Sequence, residues 1–513
     1  MANSRTKNSV LIMATSGIRQ ILTLLLSFAS RSVFIYVLGA SYLGINGLFS
    51  NVLSLLALTE LGIGGTITYY LYKPIAKNNI ERIKTLMQFY KKCYRFVGLA
   101  IIAFGCLLMP FLNKMVNLDQ PIPENLYLIY FLFVLNSAFT YLFWAYKQAI
   151  MSANQKQYKI EKINIVFTFI SCGVDIVVLL IFRNFIAYLL FKMAVTIVKN
   201  VIIARKVDNE FPYLKDKNVA KLTHDEIKVF FKGVVDQSVF KLGSTLFNST
   251  LNIIVSIFIG TVIVGYYSNY YMVIGQVNTI FGLIMASIIA GIGNVVATEA
   301  GEKIFKVYKM LDMGVFIVNA FCTICMFQLF NSFINLWLGH LDKGYILSQV
   351  IVGLICLDFY LNNSCQVIAT YRAAAGKFNV GRDLQVIAGV INIPLSIGLI
   401  KLFGLAGAFL SPVLCKIFIT VMPFFIKLGK ILFNKNWHVM IKDYTIKFLI
   451  TVFIGAIVWF ACSYFHEKSL VYFIIEILIT VILSATLLAL FTFRTTEVKE
   501  LVSHMPEKIR KRL

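Results

Sequence analysis

Charge is what this chain lacks. Only 14% of its 513 residues are Asp, Glu, Lys or Arg, where a soluble globular chain carries roughly a quarter. Acids are scarcest, 24 against 48 basic residues, and histidine occurs five times. No stretch of domain size is polar enough to fold in water. The sequence has no H-E-x-x-H and no G-x4-G-K-[ST], so zinc peptidase chemistry and direct ATP drive are not expected. Nine cysteines are scattered, mostly in apolar runs, and read as small packing residues. Cys322 and Cys325 form a C-x-x-C, but on an apolar segment with no second pair, so neither a metal nor another cofactor is expected. No cleavable leader is expected either. The first apolar segment carries Arg19 and Arg31, is longer than a signal-peptide core, and has no small-residue cleavage site behind it.

What is present is hydrocarbon. Hydrophobic residues make up 59% of the chain, and the mean hydropathy is +0.79. A spanning helix needs roughly 20 mostly apolar residues. That window predicts an all-α integral membrane protein with about fourteen transmembrane helices, near 12–38, 43–70, 85–112, 123–146, 160–182, 185–205, 233–260, 262–292, 307–337, 345–371, 382–402, 406–428, 444–465 and 469–492. With both termini cytoplasmic, 38 of the 48 Lys and Arg fall in cytoplasmic segments, and the outer loops hold only Lys114, Arg183, Lys343, Lys401 and Lys468. A miscounted helix would invert every later loop and spoil this asymmetry. The net charge of +24 is therefore a topology signal and an attraction to anionic headgroups of membrane lipid, not a sign of nucleic-acid binding.

Shifting the sequence by 221 residues lays Leu38-Gly39 and Gly44 on Ile259-Gly260 and Gly265. The same shift lays Ser16, Gln20, Thr23, Ser27 and Arg31 on Gln237, Lys241, Ser244, Asn248 and Asn252. In both helices these residues occupy one arc of the helical wheel. The expected architecture is two pseudo-symmetric six-helix lobes plus two C-terminal helices: 1–206 as the N-terminal lobe, 207–232 as a cytoplasmic linker, 233–430 as the C-terminal lobe, and 431–513 as the last two helices and tail. Each lobe opens with a polar-faced helix, so a hydrophilic cavity is expected at the centre.

Hydroxyls and amides in such a stripe can simply join helices. The cations are different, because a charge in mid-bilayer faces a cavity or a partner. Arg19, Arg31, Lys241 and Lys416, with Asn248 and Asn252, are the candidate substrate-binding residues. Glu60 and Asp358 admit two readings, as charge partners for buried cations or as proton or Na⁺ sites. Asp175, Lys192, Asp236 and Glu476 also lie in or near spans. Lys192 and Glu476 are close enough to the outer surface to snorkel.

Several segments, in order, resemble the bacterial polysaccharide-transporter family, the O-antigen and capsule flippases of the multidrug/oligosaccharidyl-lipid/polysaccharide (MOP) exporter superfamily. They are Arg31-x6-Leu38-Gly39, Tyr42-Leu43-Gly44-Ile45, Glu60-Leu61-Gly62-Ile63-Gly64, Leu71-Tyr72-Lys73-Pro74, Tyr371-Arg372-Ala373-Ala374-Ala375-Gly376-Lys377-Phe378 and Val390-Ile391-Asn392-Ile393-Pro394. The resemblance implies a non-enzymatic flippase that moves an undecaprenyl-diphosphate-linked oligosaccharide across the bacterial cytoplasmic membrane by alternating access. It also implies work beside a polysaccharide polymerase and chain-length regulators. The chain departs from the pattern at Ser411-Pro412, where a threonine and no proline are expected, which leaves Ser411 without an assigned role. The rival reading is a drug/cation antiporter of the same superfamily, whose cargo would favour an acidic rather than a cationic cavity.

Overall fold

Helix is the only regular structure among the described residues, as hydrocarbon demands of a chain whose backbone groups must be satisfied internally. The computed structural model describes residues 2–60, 63–118, 122–216, 219–220, 222–298, 301–375, 377, 380–433, 437–463 and 469–503. Eleven helices among them are long and apolar enough to cross a membrane. The architecture is that of an all-α membrane protein with roughly 12–14 transmembrane helices.

The chain forms two compact units, Met1–Gly265 and Tyr266–Leu513. The first holds α1 (Ala2–Leu56), α2 (Ile63–Ala76), α3 (Ile80–Leu108), α4 (Leu112–Met115), α5 (Leu126–Phe143), α6 (Ala145–Ala153), α7 (Gln157–Phe182), α8 (Phe185–Glu210) and α9 (His224–Phe258). Helix α10 (Thr261–Thr298) carries the chain into the second unit. There follow α11 (Gly301–Leu338), α12 (Gln349–Ser364), α13 (Gln366–Ala374), α14 (Arg382–Phe403), α15 (Leu405–Cys415), α16 (Met422–Phe433), α17 (Trp437–Cys462), α18 (Leu470–Thr492) and α19 (Thr496–Ser503). The expected spans fall on these elements, several across more than one: 123–146 crosses the break between α5 and α6, 345–371 that between α12 and α13, and 406–428 the turn between α15 and α16, while the end of 444–465 lies outside the described residues. Gly39, at φ 82°, kinks α1 between the first two expected spans, and a 3₁₀ turn, Ala57–Glu60, divides the second between α1 and α2.

The internal repeat is visible in the helix boundaries. A shift of 221 takes the start of α3 to the start of α11, and the end of α5 to the end of α12. It takes both ends of α6 to both ends of α13, and the end of α7 to the end of α14. The backbone specials follow the same register. Gly39 and Gly260 both have positive φ, as do Arg183 and Gly404. The breaks after Phe143 and Ser364 also coincide under the shift.

The two halves also differ under this shift: the break between α1 and α2 falls inside the unbroken α10, and the break after Leu108 falls inside α11. Helix α8 is continuous, whereas its counterpart is interrupted by a π-helical turn, Lys416–Val421, between α15 and α16. Pro412 and Pro423 bracket that turn. Each lacks the N–H that an unbroken α-helix would use, so the chain widens locally instead.

Gly44 and Gly265, one repeat apart, sit where α1 and α10 touch backbone to backbone. A β-carbon on Gly44 would lie 1.9 Å from the Thr261 carbonyl oxygen, and one on Gly265 would lie 2.3 Å from that of Ala40. Gly275, on the same helix as Gly265, has open space around it. Gly265→Ala should therefore destabilise the protein by about 1–3 kcal/mol through overpacking. Gly275→Ala should be neutral or stabilising by roughly 0.5–1 kcal/mol. Thermal unfolding in detergent distinguishes the two, and equal shifts in both variants would refute the close crossing.

Candidate functional site

In the first unit the polar stripe of α1 runs against α7. Arg19 donates from Nε to Glu161 Oε2 at 2.7 Å. Glu161 is buried, and Gln157, one turn earlier on α7, donates to its other oxygen at 3.5 Å. Three turns further along α1, Ser30 donates to Asp175 at 3.2 Å, and Asp175 is also buried. Ser27 and Ser32 instead bond carbonyls of their own helix. The stripe thus joins helices at Arg19 and Ser30, but not at every hydroxyl.

Helix α8 supplies two more cations to this seam. Lys192 donates to the Tyr188 hydroxyl at 2.8 Å and lies within electrostatic reach of both Asp175 and Arg31. Lys199 lies within electrostatic reach of Arg19. Aromatic packing holds the wall rigid: Phe34, the residue one turn beyond Ser30, meets Tyr188 edge-on at 5.3 Å. Four cations, Arg19, Arg31, Lys192 and Lys199, therefore accompany two carboxylates, Glu161 and Asp175. An excess of positive charge among membrane-spanning helices is a ready site for an anion.

Elsewhere in the first unit, Glu60 accepts from the Tyr94 hydroxyl at 3.5 Å, and Tyr94 stacks on Tyr141. Asn252 lies on α9, with its amide nitrogen 3.8 Å from the position a Gly47 β-carbon would take. Lys241 and Asn248 lie on α9 as well, but their side chains fall outside the described residues, as does that of Asp236.

In the second unit Lys416 opens the π-helical turn and pairs with Asp358 of α12 at 2.7 Å. Both side chains are largely buried. Ser411 donates to the Asn392 side chain at 2.8 Å, and both residues are fully enclosed. That bond joins α14 to α15 and gives Ser411 a structural task. An apolar groove of about 560 Å³ lies among α11, α12 and α17. Ile324, Phe327, Leu357, Val452 and Trp459 line it, with no ionised group.

Two sets of charged residues were not singled out by sequence reasoning. Glu161, the partner of Arg19, lies 142 positions away. Its signal was the stripe Gln157, Glu161, Asn164, Thr168, Cys172 and Asp175 along α7, at helical spacing. The other set is a triad between α11 and α17, where Lys447 contacts Asp312 at 2.5 Å and Asp443 at 2.9 Å. Lys447, counted from sequence as a cytoplasmic loop cation, is buried. Further along α11, Gln328 donates to Glu476 of α18 at 2.8 Å, so Glu476 is anchored inward.

No family model matches the chain, and no curated protein matches it. Solved structures do. A lipid II flippase, MurJ, in an inward closed conformation has a TM-score of 0.65 at 14% identity, covering 94% of this chain and 98% of its own. An inward-facing MATE-family multidrug resistance transporter has a TM-score of 0.64 at 11% identity, covering 80% and 94%. The chain has the MOP transporter fold. A MOP superfamily transporter from Pyrococcus furiosus, described as having a binding pocket of reversed polarity, has a TM-score of 0.53 at 12% identity, covering 84% and 97%. Within the MOP fold, these neighbours are transporters rather than enzymes.

Removing Lys447 leaves the largely buried Asp312 without its contacting cation and beside a second acid, Asp443. Lys447→Met should destabilise the second unit by about 3–5 kcal/mol. The double variant Lys447→Met, Asp312→Asn should recover part of that loss. Unfolding midpoints in detergent test this, and a double variant no more stable than the single one would show that the triad is not a coupled unit.

Proposed function

We propose that this protein is a flippase for an undecaprenyl-diphosphate-linked oligosaccharide, working by alternating access in a bacterial cytoplasmic membrane with both termini cytoplasmic. The observation that carries the reading is the sign of charge in the seam of α1, α7 and α8, where four cations stand with two carboxylates. A diphosphate headgroup asks for such a surplus. A polyprenyl tail can stay in lipid, and hydroxyl and amide side chains can meet the sugars. Within the first unit, Arg19, Arg31 and Lys241 are the proposed headgroup contacts, and Asn248 and Asn252 the proposed sugar contacts. Release to a polysaccharide polymerase and its chain-length regulators would follow.

A membrane glycosyltransferase or polymerase would need free acids on its outer loops. Of those that the sequence offers, Glu124 accepts from Tyr42 and Asn184, and Asp342 accepts from Tyr266 and the Gly344 amide. Both are engaged in holding loops to helices, which favours transport over catalysis. Asp119 and Glu467 lie outside the described residues.

The test is protein-dependent movement of an undecaprenyl-diphosphate oligosaccharide in proteoliposomes. Arg31→Ala and Lys241→Ala should each lower transport about tenfold or more while leaving membrane insertion intact, since a hydrogen bond to a charged group is worth roughly 1.5–3 kcal/mol. Normal transport in both variants would remove the cations from the site. Export of a cationic dye, with no glycolipid movement, would instead establish the antiporter.

A further inference from the structure

Two hydroxyl residues tie the turn from α9 into α10 to the end of α4. Thr261 donates its backbone N–H to the Asn117 carbonyl oxygen at 2.7 Å, and its Oγ1 accepts from the Asn117 N–H at 2.9 Å. Ser256, in the last turn of α9, donates to the Met115 carbonyl at 2.7 Å and stands 2.7 Å from Thr261 Oγ1. A hydroxyl has one proton, and that of Ser256 goes to Met115, so Thr261 donates to Ser256. The bonds run in one direction, from the Asn117 amide through the two hydroxyls to the Met115 carbonyl. Ser256 and Thr261 are fully enclosed, and the residues they hold lie 141 and 144 positions away. The Thr261 carbonyl, in turn, faces Gly44 at the crossing of α1 and α10.

The tie belongs to one repeat. Gly39 and Gly260 give both halves a positive-φ turn, but Ser256 and Thr261 correspond to Ile35 and Ala40, which have no hydroxyl. It also differs in kind from the ionic contacts of the interior, which have no water to replace a lost partner. This one is made of neutral groups, and a neutral bond exchanged for one to water changes the free energy little. Such a contact can part and re-form at a membrane surface at small cost. We infer that the Asn117–Thr261–Ser256 chain is a latch on the outer end of the first unit, closed while the headgroup site faces the cytoplasm and parted in every transport cycle. The inference rests on the flippase reading, whose topology puts the α9–α10 turn on the outer side, and it adds to that reading the contact that has to break. Thr261 is thereby a positioning residue for release rather than a substrate contact.

The experiment uses the full-length protein carrying Asn117→Cys and Thr261→Cys, joined by oxidation or by a short reducible bis-thiosulfonate. Wild type treated alike is the control for the native cysteines. A direct backbone bond keeps the two Cα atoms within about 6.6 Å, inside the ~4.4–6.8 Å that a disulfide spans. In proteoliposomes the joined protein should move the undecaprenyl-diphosphate oligosaccharide at least about tenfold more slowly, and reduction should restore the rate. In nanodiscs it should bind undecaprenyl diphosphate as tightly as the reduced form. A contact that never parts loses nothing when made covalent. Joined protein that transports like the reduced form therefore overturns the latch and leaves the flippase reading standing. Binding lost along with transport marks a structural role and overturns the latch as well. Should the pair not insert or not join, hydrogen exchange at the Asn117 and Thr261 amides of the wild type decides. Both should exchange faster with the lipid-linked oligosaccharide than without it, and equal protection overturns the latch. A wild type that moves no lipid-linked oligosaccharide overturns the flippase reading and the latch together.

Discussion

An ionised side chain in hydrocarbon has no water to turn to, and this constraint arranges the whole interior. Arg19 is held by Glu161, Lys416 by Asp358, and Lys447 by Asp312 and Asp443. Apart from Asp443, which lies one turn before Lys447 on α17, each carboxylate joins two elements that are far apart in sequence, so these charges double as statements of which helices are neighbours. In a soluble protein such pairs would be weak evidence for stability. Here hydrophobic association between helices is absent, since lipid tails are as apolar as leucine. The polar contacts therefore select among packings that apolar surface alone would leave nearly equivalent.

The repeat and the charges obey different rules. Helix ends, breaks and positive-φ residues recur under one shift of 221, yet the ionised residues of the seam do not. Glu161, Asp175 and Lys192 correspond to Arg382, Ser396 and Val413. The second half concentrates its charge elsewhere, at Lys416 beside a π-helical turn that the first half lacks. The shared helix ends reflect how little freedom backbone geometry has in lipid. The side chains were free to diverge, and two halves of one shape hold different electrostatics.

The sequence made the spans legible because a 20-residue apolar window is a physical requirement of the bilayer. It also made the repeat legible at Gly39, Gly44, Gly260 and Gly265, where positive φ or close approach of two backbones admits little else. Partners were not legible. Arg19 announced itself as a charge in a span, but nothing in its neighbourhood pointed to Glu161, because pairing is decided by which helix packs alongside. Lys447 misled for the opposite reason. It sits near the end of a span, where a lysine is usually solvated, and only the packing of α17 on α11 encloses it.

The triad between α11 and α17 has a consequence for how the protein is made. Asp312 precedes Lys447 by 135 residues, which at ~5–20 residues per second is roughly 7–27 seconds of synthesis. Through that interval the first unit is already in existence and the second is still being made, while an acid on α11 waits without its lysine. Until then the cation within electrostatic reach of that acid is Lys309 on its own helix. The ion pair that joins α11 to α17 can form only once α17 has been made. The span α17, for all that it looks like an appendage to a finished bundle, supplies the lysine that pairs with a helix made long before it.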